Sequence, residues 1–242
     1  MQVSGAMQDQ TINHIKVLAF DVFGTVVDWH GSLLRELDQL IAGIDSNAFA
    51  LSWREGYAPA MQRVRTGELG WTLLDDLHRM TLDEVLRQFG VTHLSSQQKY
   101  HLNRVWHRLD PWPDSVAGLN RLKSRYTICT LSNGNLGLLA NMAKRARLDW
   151  DCILCAEVFR KYKPDPDTYL GVAKIFDLEP AQVMLVAAHH NDLAAARACG
   201  LKTAYIERPL EFGAQAIKDV SPVSDNDIHA ETIIHLAELL EC

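Results

Sequence analysis

Short runs of β-forming residues alternate with helical segments along most of this chain, and this alternation limits its fold more than any other feature. Between the runs, apolar residues recur at helical spacing, as in Ser115–Lys123, and an alanine-rich helix precedes Gly200. Strands that alternate with helices build parallel sheets, because each helix carries the chain back to the same edge. The sequence therefore predicts an α/β protein with helices on both faces of a parallel sheet. The predicted strands are Lys16–Phe20, Tyr126–Leu131, Cys152–Cys155, Val183–Ala187 and Thr203–Ile206.

One interval interrupts the alternation. From Gly31 to Asp110 we find only helical periodicity, after which Pro111-Trp112-Pro113 marks a rigid return to the sheet. We therefore predict three parts in the chain. They are a polar N-terminal tail at residues 1–13, a Rossmann-like core formed by 14–30 and 111–242, and an inserted all-α domain at 31–110.

The composition excludes several classes of function. The 242 residues carry a formal net charge of −6, which gives no basic footprint for nucleic acid or an anionic membrane. No apolar run reaches membrane-spanning length, and the start of the chain has no apolar signal-peptide core. Five cysteines, an odd number, favour reduced thiols and a cytoplasmic location. Cys152 and Cys155 have the spacing of a redox or zinc motif, but no second pair accompanies them, so we interpret them as packed thiols.

The candidate nucleophile is Asp21, which directly follows the first predicted strand. Open α/β sheets place reacting groups at the carboxyl ends of their strands. A carboxylate that attacks phosphorus usually needs an acid nearby and a cation for the phosphate, whereas one that attacks a carbon bearing a halide needs neither. Two residues on stands Phe23, which supplies neither a proton nor a ligand. Thr25 and Lys163 are the groups expected to keep Asp21 ionised and aimed.

Four segments together give this chain its resemblance to a known family. It resembles the haloacid dehalogenase superfamily and, within it, the type II (S)-2-haloacid dehalogenases. Phosphatases of the superfamily carry a second aspartate where Phe23 stands, so the resemblance and the leaving-group argument agree. The segments are Asp21-Val22-Phe23-Gly24-Thr25, Leu131-Ser132-Asn133-Gly134-Asn135, Tyr162-Lys163-Pro164-Asp165 and Val186-Ala187-Ala188-His189-His190-Asn191-Asp192.

The resemblance implies a mechanism and a cap. Asp21 would displace halide from C2 of a short 2-haloalkanoic acid with inversion, and water would hydrolyse the resulting ester to a 2-hydroxy acid. The all-α insert would be a cap that closes over the site. Fluoroacetate is a further expected substrate. The implied substrate-binding and halide-binding residues are Ser132 for the carboxylate, Asn133 and the cap residue Arg54 for the halide, Tyr169, and the aromatic wall of Phe23, Trp53 and Trp29.

One segment departs from the family pattern. The family commonly has Ser-Ser-Asn before its second aspartate, whereas this chain has Ala187-Ala188-His189 before Asp192. Asp192 is expected to orient either the hydrolytic water or Lys163. We hypothesise that His189 orients or deprotonates the water together with Asp192, since an imidazole titrates near neutrality.

We expect no metal and no cofactor. Neighbouring side chains such as His189 and His190 usually point apart, and no paired acidic ligands join them. The expected partners are the haloacid and the halide, and, from the resemblance, a second copy of the chain in a homodimer. Three alternatives remain: a metal-dependent phosphatase of the same superfamily, a hydrolase of another small activated carboxylic acid, and a binding protein on the same scaffold.

Overall fold

The computed structural model of the protein describes residues 14–242, so the predicted tail at 1–13 lies outside the described residues. Within them, six parallel strands form one sheet. The predicted parallel sheet is confirmed. Its strands are β1 (Val17–Phe20), β4 (Thr127–Ser132), β5 (Cys152–Cys155), β6 (Val183–Ala187), β7 (Lys202–Ile206) and β8 (Ile228–Ala230). They lie side by side in the order β5-β4-β1-β6-β7-β8.

Alternate residues of the central strand β1 face two separate hydrophobic layers. Leu18 and Phe20 belong to one layer, which includes Leu122 and Leu236. Val17 and Ala19 belong to the other layer. Because side chains alternate along a strand, this strand must be covered on both faces, as its continuous burial requires. The helices of the sheet layers are α6 (Ser115–Lys123), α7 (Leu136–Ala146), α8 (Ala156–Phe159), α9 (Pro166–Ile175), α10 (His190–Ala198) and α11 (Ile233–Leu239).

A helical segment lies between two very short strands, β2 (Val27–Asp28) and β3 (Asp110–Pro111), which pair antiparallel. The sequence analysis did not predict this ribbon, through which the chain both leaves and re-enters the sheet domain. The first helix starts at Trp29, so the expected boundary between residues 30 and 31 falls inside it. The segment contains α1 (Trp29–Leu40), α2 (Ser46–Glu55), α3 (Tyr57–Arg65), α4 (Leu74–Gln88), α5 (Ser96–Asn103) and a 3₁₀ turn at Arg104–His107.

Local capping explains where several of these helices begin. The side chain of Asp28 accepts a hydrogen bond from the Gly31 amide and so starts α1. Ser95 forms a reciprocal capping box with Gln98 at α5. Asp165 caps α9, whose first residue is a proline with no amide hydrogen to satisfy.

Specific contacts tie the helical segment to the sheet domain. Asp75, at the start of α4, accepts a hydrogen bond from Asn135 at the start of α7. The Tyr162 hydroxyl donates to the Thr72 carbonyl at 2.7 Å. These contacts close the helical segment over the carboxyl edge of the sheet.

The cysteines are free thiols, and burial raises the pKa of Cys129, Cys152 and Cys155. A thiol with a raised pKa is a poor nucleophile and a poor metal ligand, in agreement with packed side chains. No helix within residues 14–242 is both long enough and apolar enough to cross a bilayer.

Candidate active site

The predicted site residues meet because parallel strands end at the same edge of the sheet. Asp21 follows β1, Ser132 ends β4 and His189 lies just after β6. A cavity of about 610 Å³ opens at this edge, between the sheet and the helical segment. It is lined by Asp21, Phe23, Leu51, Arg54, Glu55, Tyr57, Ala58, Met61, Arg65, Asn133, Lys163, Pro164, Tyr169, His189, Asn191, Asp192, Ala195, Glu211 and Phe212.

Asp21 is a buried carboxylate held by three donors. Its Oδ2 accepts from the Thr25 hydroxyl at 2.7 Å and lies 3.1 Å from Nδ1 of His189. Its Oδ1 accepts from Nζ of Lys163 at 2.9 Å. Burial by itself would raise the pKa of Asp21, but the positive charges of Lys163 and His189 hold that pKa well below its usual range. The carboxylate is therefore ionised at neutral pH.

The turn after Asp21 depends on Gly24 and Thr25. Gly24 has a φ of +82°, a left-handed conformation that glycine adopts without strain. Thr25 is fully buried, and its hydroxyl accepts from the Ala188 amide at 2.9 Å while it donates to Asp21. The hydroxyl thus joins the loops that follow β1 and β6, which fixes the direction of the Asp21 carboxylate.

Lys163 bridges two carboxylates. Its Nζ lies 2.5 Å from Oδ2 of Asp192, in addition to its contact with Asp21. Burial would lower the pKa of Lys163, but the two aspartates raise it above its usual value. Tyr169 is also buried and donates to the other oxygen of Asp192 at 2.6 Å. Asp192 thus contacts Lys163, one of its two expected partners.

His189 differs from its predicted partnership. Its Nδ1 faces Asp21, and its Nε2 lies 2.8 Å from Oε1 of Glu211; no hydrogen bond joins it to Asp192 among the described residues. Burial would lower the pKa of His189, but Glu211 and Asp21 raise it to about 9. While Asp21 and Glu211 are ionised, the ring between them is favoured as an imidazolium. Both ring nitrogens thus lie at hydrogen-bond distance from carboxylates, and the role of His189 toward the water stays a prediction.

The predicted aromatic and cationic residues separate into two groups. Phe23 and Arg54 line the cavity, and the Arg54 guanidinium lies 4.1 Å from the Tyr57 ring centroid. Trp53 and Trp29 are fully buried and do not line the cavity. Consecutive helix residues point about 100° apart, so only one of Trp53 and Arg54 can face the cavity. The Trp53 indole instead donates to the His78 carbonyl.

Asn133 lines the cavity, whereas Ser132 lies just beneath it. The Asn133 side-chain oxygen accepts from the Lys163 amide at 2.7 Å, and its NH₂ group lies toward the Tyr57 hydroxyl at the cavity. The Ser132 hydroxyl accepts from the Gly134 amide at 3.1 Å and makes no donor contact among residues 14–242. The hydrogen bond between Asn133 and Lys163 thereby joins the loop after β4 to the loop after α8.

Comparison with known proteins agrees with this geometry. A family model described as haloacid dehalogenase-like hydrolase matches residues 15–200. The chain belongs to the haloacid dehalogenase-like hydrolases. A crystal structure of a defluorinating L-2-haloacid dehalogenase superposes with a TM-score of 0.91 and 44% identity, covering 94% of this chain and 96% of that one. The predicted dehalogenase branch is confirmed by this relationship.

Two further relatives of this hydrolase are more distant. The (S)-2-haloacid dehalogenase 4A of Burkholderia cepacia is 28% identical over 207 residues, which are 81% of this chain and 85% of that protein. A phosphoglycolate phosphatase of Neisseria meningitidis is 25% identical over 192 residues, 78% of this chain and 79% of that protein. Both activities therefore occur among relatives that share most of the chain.

In the loop between β7 and β8, the sequence analysis missed three charged or aromatic residues of this hydrolase. Glu211 and Phe212 lie in the loop between β7 and β8 and line the cavity, and Lys218 forms an ion pair with Glu211. Burial would raise the pKa of Glu211, but His189 and Lys218 lower it to about 2. The loop carries no motif that marks it as part of a site. A histidine in place of the family's asparagine was the available signal, because a buried charge usually has a partner.

No group of three or more histidine, cysteine, aspartate or glutamate residues suited to a metal ion is present within residues 14–242. The positive charges at the cavity come from Lys163, His189, Arg54 and Arg65. The anions of a reaction here would therefore meet side-chain cations.

Proposed function

We propose that this chain is an (S)-2-haloacid dehalogenase that hydrolyses short 2-haloalkanoic acids to 2-hydroxy acids. The observation that carries the proposal is the environment of Asp21. It is ionised and fixed by three donors, while Phe23, two residues on, lines the same cavity without offering an acid. Such a site suits a leaving group that departs as a stable anion and needs no proton.

In the first step, one oxygen of Asp21 attacks C2 of the substrate from behind the carbon–halogen bond. The C–O bond forms as the carbon–halogen bond breaks, so the product is an aspartyl ester, inverted at C2, and a halide ion. Arg54 is suited to receive the halide, because its guanidinium stays charged and makes no hydrogen bond with the described residues. The NH₂ group of Asn133, which lies toward the Tyr57 hydroxyl at the cavity, is the second donor that we assign to the halide.

The substrate carboxylate is the other anion to be bound. We assign it to Ser132, whose hydroxyl hydrogen has no acceptor among residues 14–242. Lys163 contributes a nearby positive charge. Binding of the carboxylate beside the nucleophile orients C2 for attack, and this positioning is a large part of the rate gain in displacement reactions.

In the second step, water hydrolyses the ester. Asp192 is the group that we assign to receive the proton of the water. It is a carboxylate at the cavity, held by Lys163 and Tyr169 on opposite oxygens. Once Asp21 is esterified it carries no charge, so Lys163 pairs with Asp192 alone.

We propose that residues 31–110 act as a cap domain. The cavity takes Leu51, Arg54, Tyr57 and Met61 from this segment and its catalytic carboxylates from the sheet domain. Closure of such a segment excludes water while the carboxylate attacks C2. The antiparallel ribbon of β2 and β3 is the place where the two parts can turn against each other.

Fluoroacetate belongs to the proposed substrate range. Support comes from the defluorinating relative, which is 44% identical and covers nearly the whole chain. The carbon–fluorine bond is the strongest of the carbon–halogen bonds, so fluoride release makes the greatest demand on the donors at the leaving group. We also propose a cytoplasmic location, since the cysteines are free thiols.

The deciding experiment measures halide release from chloroacetate, fluoroacetate and each enantiomer of 2-chloropropionate. In parallel, p-nitrophenyl phosphate is tested with and without magnesium, because the phosphatase relative makes that activity the second candidate. We expect halide release from chloroacetate, from fluoroacetate and from the (S)-enantiomer, and none from the (R)-enantiomer. Phosphate release without halide release would reverse the assignment. In solvent enriched in ¹⁸O, the label should enter the Asp21 carboxylate over multiple turnovers.

A further inference from the structure

His189 lies between two carboxylates, and this position determines its protonation state. Nδ1 is 3.1 Å from Oδ2 of Asp21, and Nε2 is 2.8 Å from Oε1 of Glu211. An ionised carboxylate only accepts hydrogen bonds, so the ring satisfies both neighbours only when both nitrogens carry hydrogen. The geometry therefore requires an imidazolium.

Glu211 is itself fixed on several sides. It is fully buried, and its carboxylate contacts His189, Lys218 and the Trp29 indole nitrogen, the last at 3.4 Å. The turn at Gly24 also packs against it, because a Cβ added to that glycine would lie 2.3 Å from Oε1. A buried carboxylate is retained only when charged donors compensate for its lost hydration. The direction of the His189 ring is thus set by residues that do not touch Asp21.

The two oxygens of Asp21 have different surroundings. Oδ2 accepts from both Thr25 and His189, whereas Oδ1 accepts only from Lys163. Oδ1 therefore has the freer lone pairs and is the attacking atom. Oδ2 then becomes the carbonyl oxygen of the ester. Negative charge develops on this oxygen when water adds to the ester, and two donors already point at it.

We propose that His189 and Thr25 form the oxyanion hole for ester hydrolysis, with Glu211 and Lys218 as positioning residues that hold His189 in place. This inference rests on the proposed dehalogenase function and adds a role for the loop between β7 and β8. Fixed donors aimed at a developing charge are among the largest contributions to catalysis in acyl transfer.

The electron and proton balance of the step is as follows. The water oxygen bonds to Cγ of Asp21, the carbonyl electron pair moves to Oδ2, and Asp192 takes one proton from the water. The Cγ–Oδ1 bond then breaks, and its electron pair leaves with the product oxygen, which takes the proton back from Asp192. The Asp21 carboxylic acid that remains loses its proton to solvent. His189 keeps both of its hydrogens throughout.

The charged groups around His189 determine the pH dependence. Asp21 faces it from the end of β1, and Glu211 faces it from the loop between β7 and β8, where Lys218 neutralises part of the Glu211 charge. On the far side of Asp21, Lys163 is paired with Asp192. The net effect raises the pKa of His189 to about 9 although burial opposes it. A donor role requires the protonated ring. In the ester Asp21 is neutral and no longer raises this pKa, so ester hydrolysis should fall with rising pH at a lower value than the pKa of the free enzyme.

The test compares Glu211→Gln with Glu207→Gln, a matched control in the same loop whose carboxylate pairs with His229 away from the cavity. Halide release and 2-hydroxy acid formation are followed separately in single turnovers of (S)-2-chloropropionate between pH 6 and 10. In the wild type and the control, hydrolysis should be level near neutral pH and should fall as the pH rises further. In Glu211→Gln the fall should begin at a lower pH, because the ring loses a carboxylate that raises its pKa. Its hydrolysis rate should return to within about tenfold of wild type at pH 6.

A second variant and a second measurement keep the inference falsifiable. His189→Gln should slow hydrolysis on the order of 100-fold, which is the usual cost of one oxyanion donor, and the ester should accumulate as a mass increase of the protein. NMR titration of the His189 ring, identified by its loss in His189→Gln, should give a midpoint near 9 in the free wild-type enzyme and a lower midpoint in Glu211→Gln. This titration needs no substrate.

Opposite results would overturn the inference. If His189 were a base, hydrolysis would increase with pH, and Glu211→Gln would be faster than wild type near neutrality. An unchanged pH profile in Glu211→Gln would equally reject the positioning role. If the wild type released no halide from any 2-haloacid, the proposed function would fail, and the NMR titration would still decide the charge of His189.

Discussion

Tyr169 donates a 2.6 Å hydrogen bond to Oδ1 of Asp192, on the side of that carboxylate opposite Lys163. Burial and the negative charge of Asp192 raise the pKa of the Tyr169 hydroxyl, so it remains a donor at neutral pH. Asp192 is therefore held from both sides. A sequence reading alone could equally treat this tyrosine as a packing residue of a helix.

The Tyr169→Phe variant should lower the rate of ester hydrolysis about tenfold. The loss of the hydroxyl leaves one oxygen of Asp192 without its donor, and a hydrogen bond to a charged group contributes about 1.5–3 kcal/mol. The matched control is Tyr205→Phe, since Tyr205 is also fully buried but its hydroxyl has no partner among the described residues. Single-turnover assays of both variants check this. Equal rates in the two variants would show that the contact with Asp192 has no catalytic role.

Arg54→Met should reduce halide release about 100-fold, because the departing anion loses its charged partner. Arg63→Met is the control, since Arg63 lies on the next helix and pairs with Glu68 at the surface. The loss should be larger for fluoride than for chloride, since fluoride is the poorer leaving group. Rates with chloroacetate and fluoroacetate test this. A uniform loss with both substrates would indicate a role in binding alone.

Phe23→Asp should lower halide release at least about tenfold. A second carboxylate at the cavity would raise the pKa of Asp21 and repel an anionic substrate. Phe23→Leu keeps an apolar side chain and is the control for lost packing against Trp106, whose ring lies edge-on to Phe23 at 5.9 Å. The steady-state rate at pH 8 is the measurement. If the leucine variant were as slow as the aspartate variant, packing and not charge would explain the loss.

Stability should depend on pH through the His189–Glu211 pair. The folded-state pKa of His189 is raised from 6.5 to about 9, so its contribution is fully present below pH 6.5 and is lost as the pH rises through 9. Glu211 has its pKa lowered from 4.5 to about 2, so its contribution is present above pH 4.5 and is lost as the pH falls toward 2. The His189–Glu211 pair therefore stabilises the folded state most between about pH 4.5 and pH 6.5.

Urea unfolding measured at pH 6 and pH 10 checks this dependence. The difference in unfolding free energy attributable to His189 should be roughly 3 kcal/mol. It should shrink in His189→Gln, which has no titrating ring at this position. A wild-type difference that the variant reproduces in full would assign the effect to other groups.

Chelation should not affect the enzyme. The proposed steps rely on Lys163, His189 and Arg54 for positive charge and use no metal. Halide release should therefore be the same with 5 mM EDTA as without it, within about twofold. The reason is that fixed side-chain charges stabilise the anions of the reaction. Activation by added magnesium beyond that range would contradict the mechanism.

The alternation of strands and helices predicted the parallel sheet because long-range order in such folds follows from local periodicity. The strand β8 escaped prediction, since it has only three residues and follows a long polar loop. The ribbon of β2 and β3 was missed for the same reason, with two residues in each strand. Pairs this short are set by the ends of neighbouring elements and leave no periodic pattern in the sequence.

Prediction of the site was best for residues inside motifs at strand ends. Asp21, Lys163 and Asp192 meet because the sheet brings its carboxyl ends together. Glu211 could not be found in this way, since a loop of irregular structure positions it. Trp53 was predicted to line the site because it adjoins Arg54 in the sequence. Adjacent helix residues point in different directions, and the Trp53 indole contacts the His78 carbonyl instead.

The nucleophile Asp21 and the residues that keep it ionised come from widely separated parts of the chain. His189 stands 168 positions after Asp21, and Glu211 stands 182 positions after Trp29. During biosynthesis the aspartate therefore leaves the ribosome long before its cations and before the loop that orients them. Contacts this distant form late in folding. Asp21 should therefore not react with a haloacid in a nascent or truncated chain. Its alkylation should begin only once the last loops have docked.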